Sequence, residues 1–198
     1  MTGHRSVTAA AVLATVAVAA SLAASSSAKP ADKTTAMGRP SGVVADCAKG
    51  SGSRGGSLSR EFGSRWNLVV GPLAMSGARA IPGGYSKSFG GNKFPLYIKA
   101  GHRVTLALTS GTKERAALAY GPLPNGYVEV DDGHRVITFI ACRRGQYSPG
   151  FGGPAGRITF WSGGVLAIAP RCVPLLIWVD HERSPRRAVI HLGVPGCG

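Results

Sequence analysis

Large apolar residues in this chain fall in short blocks, each closed by Gly, Pro, Asp or Ser. The densest blocks are residues 136–142, 172–179 and 188–192, five to eight residues long and rich in β-branched and aromatic side chains. They are too short and too punctuated for helices, and predict buried or half-buried strands. Residues 103–109 alternate instead. Val104, Leu106 and Leu108 fall on one side and Arg103, Thr105, Ala107 and Thr109 on the other, which predicts a strand with one wet face.

Further strands are predicted at 66–70, 94–98, 116–120, 127–130, 157–161 and 164–169. Hairpins are expected between 94–98 and 103–109 around Lys99 to His102, and from 127–130 into the strand at Val136 through Asp131-Asp132-Gly133. Two more should join 157–161 to 164–169, and 175–179 to 187–192. The stretch leading to Asn92, with Gly77, Gly83, Gly84, Gly90 and Gly91, reads mainly as loop. No segment after the N-terminus shows helical apolar spacing over ten residues. About nine strands with frequent turns predict an all-β fold, an antiparallel β-sandwich of immunoglobulin-like or jelly-roll-like type.

The N-terminus has a different texture. His4 and Arg5 precede an apolar run from Ala9 to Ala24, and Ser26 and Ala28 supply the small residues a signal peptidase needs. The run is shorter than the roughly 20 residues of a membrane span. The predicted organisation is a signal peptide at 1–28, a Gly/Ser-rich linker at 29–60 with a pinned segment around Cys47, and a β-sandwich domain at 61–198. No later stretch is apolar for long enough to insert in a bilayer.

Four cysteines in an exported chain predict two disulfides. Their spacings of 95, 30 and 25 residues lack the close Cys/His pairs of a zinc site. Cys142 ends one predicted strand and Cys172 precedes another, so the expected pairs are Cys142–Cys172 and Cys47–Cys197. The charge is lopsided: 23 Lys+Arg against 9 Asp+Glu, a formal net of +14. With Arg5 lost in the signal, the mature chain keeps +13, a balance that favours anionic partners or surfaces. Arg outnumbers Lys 16 to 7 among many Ala and Gly residues, so part of the excess is compositional.

Motifs with chemistry are sparse. Ser110-Gly111-Thr112-Lys113 fits the Ser-x-x-Lys of penicillin-binding proteins, but it falls in a turn between strands rather than opening a helix. No Gly-x-Ser-x-Gly elbow exists, and the glycine-rich 150–156 leads into a strand, not into the helix a phosphate loop needs. Glu129, Asp131, Asp132 and His134 form one acid–histidine cluster, and Asp180-His181-Glu182 another; neither is a complete ligand set. The candidate binding residues are Arg143 and Arg144 beside Tyr147 and Phe151, with Arg183, Arg186 and Arg187 near the last hairpin. Cations next to aromatics suit anionic polymers or carbohydrate faces.

Gly71-Pro72-Leu73-Ala74, the block 138–142 and the block 170–175 are similar to a set of secreted proteins from high-GC Gram-positive bacteria, as is the basic-then-apolar C-terminus ending at Cys197. The resemblance spans roughly Cys47 to Cys197. It implies export and fold but no activity.

The leading expectation is a secreted, non-enzymatic module without cofactor or metal, binding an anionic polymer or a cell-envelope component. Specific nucleic-acid recognition and stable membrane insertion are not expected. A loop-built hydrolase acting on cell-wall material, and a structural surface protein without a small ligand, are the alternatives.

Overall fold

The computed structural model describes residues 38–50, 57–80, 84–121 and 129–197. The signal-like stretch 1–28 lies outside them, as do Tyr127 and Val128 of one expected strand. Fourteen strands are present among the described residues. In chain order they begin with β1 (Val43–Ala45), β2 (Leu68–Val70), β3 (Leu73–Met75), β4 (Gly91–Lys93) and β5 (Leu96–Lys99). Next come β6 (Arg103–Leu108), β7 (Ala116–Tyr120), β8 (Val136–Ile140), β9 (Tyr147–Ser148) and β10 (Gly153–Pro154). The last four are β11 (Ile158–Trp161), β12 (Gly163–Ala167), β13 (Arg171–Val179) and β14 (Arg186–Leu192). One short helix, α1 (Leu58–Gly63), precedes β2.

A five-stranded sheet has the order β1-β8-β6-β13-β14, a four-stranded sheet β11-β5-β3-β2 and a three-stranded sheet β4-β12-β7. All pairings are antiparallel except β1 on β8, which is parallel. That pair departs from the wholly antiparallel expectation. The all-β class and the two disulfides agree with the sequence reading.

β9 and β10 form a separate two-stranded sheet, and the four- and three-stranded sheets join as one bent layer. Phe94 and Pro95 alone separate β4 from β5, Ser162 alone separates β11 from β12, and the Phe94 N–H bonds to the Gly163 carbonyl at 2.9 Å across the bend. The expected hairpin between 157–161 and 164–169 is therefore absent. β11 pairs with β5 and β12 with β4 and β7, so the chain bends without reversing. Backbones approach closely here. A Cβ on Gly91 would lie 2.0 Å from the Val165 carbonyl oxygen, and one on Gly164 2.1 Å from that of Asn92. Gly91 thus belongs to a strand, not to the expected loop, because close packing requires it.

The expected hairpin between 94–98 and 103–109 is also overturned, since β5 and β6 lie in different sheets. The link between them crosses layers, with the Ala100 N–H bonded to the Arg157 carbonyl and the Gly101 N–H to that of Cys142. Nor does Asp131-Asp132-Gly133 make a hairpin turn. Val130–Asp132 is a 3-10 turn closed by a reciprocal capping box between Glu129 and Asp132. The final hairpin, β13 with β14, forms as expected. Pro174 is tolerated in β13 because the ladder with β6 starts only at Leu175.

Val104, Leu106 and Leu108 share the core with Leu73, Ile98, Leu118, Phe139 and Trp161 from the other strands. The far face of β6 is not wet as predicted. Thr105 and Ala107 are buried there with Leu176 and Trp178, and Val136 packs against them. Residues 38–42 link two ends of this face: the Arg39 guanidinium donates to the Asp180 carbonyl, and Gly42 lies against Val136.

The expected cysteine pairing is corrected. The bridges are Cys47–Cys142 and Cys172–Cys197, with Cα separations of 4.7 and 5.5 Å. Because β1 runs parallel to β8, both leave the sheet at the same end, and cysteines two residues past each strand meet. The second bridge ties the start of β13 to the chain beyond β14. With no free cysteine, both bridges fit an oxidising compartment.

Candidate functional site

Strand register places the candidate residues. Ile140 pairs with Arg103, Val104 with Val179, and Ile177 with Arg186, while Ala45 pairs with Phe139. The exits of β1, β8 and β13 and the entries of β6 and β14 therefore lie at one end of the five-stranded sheet. Arg143 and Arg144 follow β8 there, and Arg183, Arg186 and Arg187 belong to the β13–β14 turn and the start of β14. Two basic groups some forty residues apart in sequence are thus brought to the same end. Arg103 joins them from β6. Lys99 and Arg157 adjoin from the neighbouring layer, with the Lys99 ammonium 4.8 Å from the Phe62 ring.

The acids at this end are engaged internally. Asp46 accepts from the Lys49 N–H. Glu182 takes the Arg186 guanidinium at 2.5 and 3.1 Å and also the Val179 N–H. Arg186 is thereby a strut of the turn, packed against Gly71, rather than a free cation. Arg103, Arg143, Arg144, Arg157, Arg183 and Arg187 are exposed and have no carboxylate partner among the described residues. Tyr147 is 67% exposed on β9. Gln146 Oε1 accepts the Arg143 N–H and so shapes the loop. Beside it, between Arg143 and the exit of β1 at Asp46 and Cys47, is an open cleft of ≈ 600 Å³ floored by Gly101 and Ile140.

One feature of this end was not legible in the sequence. His102 Nδ1 lies 2.8 Å from Asp180 Oδ2, and Asp180 Oδ1 accepts the Arg103 N–H at 3.0 Å. The partners are 78 residues apart and meet only through the β6–β13 register. Asp180 has φ 48°, the one positive value outside glycine among the described residues. Asp tolerates that region better than most side chains.

Glu114, Glu129, Asp131 and Asp132 lie at the opposite end, while Glu61 is buried in α1 beside Arg60. Asp131 pairs with Arg135 at 3.5 Å, and Glu129 and Asp131 line a hollow of ≈ 280 Å³ with Glu114. His134, expected beside them, bridges Leu118 through its backbone, and its Nε2 is buried without a hydrogen-bond partner. Among the described residues no three His, Cys, Asp or Glu side chains are grouped to hold a metal. Ser110 to Lys113 form a turn between β6 and β7, with the Lys113 N–H bonded to Thr109. No helix among the described residues is long and apolar enough to cross a membrane.

These groups predict an acid response. Partial burial pushes the Asp180 carboxyl up, but the Arg103 N–H, the hydrogen bond and charge of His102, and the His181 charge outweigh it and hold it low. Glu182 is held low chiefly by Arg186, and burial pushes His134 below its usual value. Each folded-state pKa is depressed, so each contribution is complete above the unfolded pKa and is lost as pH falls through the folded one. Urea midpoints should decline from about pH 6.5 as His134 protonates, and again below about pH 4 as the carboxylates do. Asp180→Asn should flatten the lower limb; a wild-type acid slope in that variant would show the carboxylate plays no such part.

Comparison with protein-family models, curated proteins and solved structures returns no match to this chain.

Proposed function

We propose that this is a secreted, non-enzymatic β-sandwich module whose basic end holds an anionic polymer at or near the cell envelope. The observation that carries this reading is the convergence of Arg143 and Arg144 with Arg183 and Arg187, while the nearby Asp46, Asp180 and Glu182 are already engaged. The four acids Glu114, Glu129, Asp131 and Asp132 belong to the far end, where Lys113, Arg115, Arg135 and Arg171 balance them, so the unbalanced positive charge is concentrated at the near end. A field of that shape orients a flexible polyanion and speeds its capture. The sandwich reading is supported by the largest core cluster, which is shared between the five-stranded sheet and the bent layer. Export is supported by the signal-like N-terminus and the two bridges.

The test uses the secreted protein on immobilised heparin and on a glycerol-phosphate polymer. Bound protein should elute with salt, since each contact displaces counterions and affinity falls log-linearly with ionic strength. The variant R143S/R144S/R183S/R187S should elute at lower salt, with a log–log slope shallower by about 3. Its melting temperature should move little, because exposed charges contribute little to folding. Elution unchanged from wild type removes these residues from the site. Failure of wild type to bind either polymer favours a structural surface role, and cleavage of the polymer favours a hydrolase.

A further inference from the structure

Trp66 is the one tryptophan that the fold leaves open. Trp161 and Trp178 are 2% and 0% exposed, whereas Trp66 is 48% exposed. Exposing so large an aromatic forgoes substantial burial, yet the backbone that carries it is well hydrogen-bonded. The Asn67 N–H closes a turn onto the Ser64 carbonyl, and Arg65 and Trp66 form the tip of that turn. The Trp66 N–H donates to Ser64 Oγ, and the Trp66 carbonyl accepts the Arg79 N–H at 2.9 Å. The buried Asn67 amide spans the base, donating to the Glu61 carbonyl and accepting from the Gly77 N–H. The guanidinium of Arg65 sits 4.5 Å from the centre of the Trp66 ring. The backbone that carries the indole is therefore fixed by hydrogen bonds from three directions, and Arg65 is the contact on the ring itself.

Beside the ring is a hollow of ≈ 390 Å³ lined by Ser64, Trp66, Asn67, Ser76, Gly77 and Ala80. Among the described residues its walls are small residues, hydroxyls and backbone, with no large apolar side chain besides the indole. A docking protein would need several apolar anchors and pockets to receive them, and besides the indole the described walls offer none. A sugar ring needs what is present: a flat aromatic surface for its apolar face and hydroxyls at the rim for its own. We infer that Trp66 is the stacking platform of a saccharide site, with the Ser64 and Ser76 hydroxyls as rim partners and Arg65 both setting the indole and supplying charge for an acidic sugar. The site precedes β2 and lies against the β3 exit, and the His191 N–H bonds to the nearby Ala78 carbonyl. That is the end away from Arg143 and Arg183, so it is independent of the polyanion reading.

The test starts with the secreted protein on an array of neutral and acidic oligosaccharides, followed by solution titration of those retained. With Trp161 and Trp178 buried, Trp66 reports alone: acrylamide should quench it in the free protein, and bound saccharide should protect it. Trp66→Ala should weaken binding at least about tenfold, Trp66→Phe less, and Ser76→Ala moderately. R143S/R144S/R183S/R187S should bind the saccharide as wild type does, and Trp66→Ala should keep the wild-type elution from the glycerol-phosphate polymer, which has no sugar ring to stack. Melting temperatures of the variants verify folding. The inference is overturned if the array retains nothing, if Trp66→Ala binds as well as wild type, or if Trp66 is shielded only by self-association.

Discussion

Replacing Cys47 and Cys142 together by alanine should lower stability by about 4–5 kcal/mol, from the chain entropy released to the unfolded state. The bridge closes a loop between residues 95 apart, whereas Cys172–Cys197 spans only 25, for which the same relation gives about 3.5 kcal/mol. The two double variants should therefore rank in that order in urea titrations. A structural loss adds to the entropic one. β1 has three residues and sits at the sheet edge, so the Cys47 bridge is its main anchor. Ser148 Oγ also donates to the Cys47 carbonyl at 3.0 Å, so the loop carrying Arg143 and Arg144 hangs on the same point. Limited proteolysis should cut residues 38–50 early in the C47A/C142A variant, and its heparin elution should shift to lower salt. Equal stability loss in the two double variants would mean that local strain or residual unfolded-state structure outweighs loop length.

Phe139→Ala should cost about 3–5 kcal/mol, a large share of the 5–15 kcal/mol typical of a domain. Its ring lies 5.5 Å from that of Tyr120, edge to face, and 5.2 Å from that of Trp161. The three residues come from β8, β7 and β11, one from each of the three larger sheets. Removing the central ring leaves a cavity where the layers meet, and the bent layer cannot close over it without breaking strand pairs. Tyr120→Phe is the milder comparison. It deletes the hydroxyl that donates to the Phe94 carbonyl at 2.6 Å, beside the bend between β4 and β5, and should cost about 1–3 kcal/mol. A loss below about 2 kcal/mol for Phe139→Ala would show that the sheets repack around the gap.

The all-β class and the longer strands followed from the chain alone, because the period-2 blocks and their Gly and Pro boundaries are local signals, whereas the two- and three-residue strands β3, β4, β9 and β10 fell in stretches that read as loop. The core side of β6 was legible in Val104, Leu106 and Leu108, and so was the last hairpin, where Asp180 to Pro185 separate two strong blocks. The basic residues were legible too, as residue types. Everything that depended on which strand meets which was decided in three dimensions. Lys99 to His102 and Ser162-Gly163 read as hairpin turns, yet one crosses between layers and the other is a bend. A turn signal reports flexible backbone and not the direction the chain takes next. The wet side assigned to Thr105 and Ala107 failed because Leu176 and Trp178 on the partner strand close over it. The disulfide pairing depended on the parallel alignment of β1 with β8, and no local pattern reveals the direction of a three-residue strand. The charged end arose in the same way. Arg143 and Arg183, like His102 and Asp180, are distant in sequence and become neighbours only through register, which the pattern of one strand cannot specify without its partner.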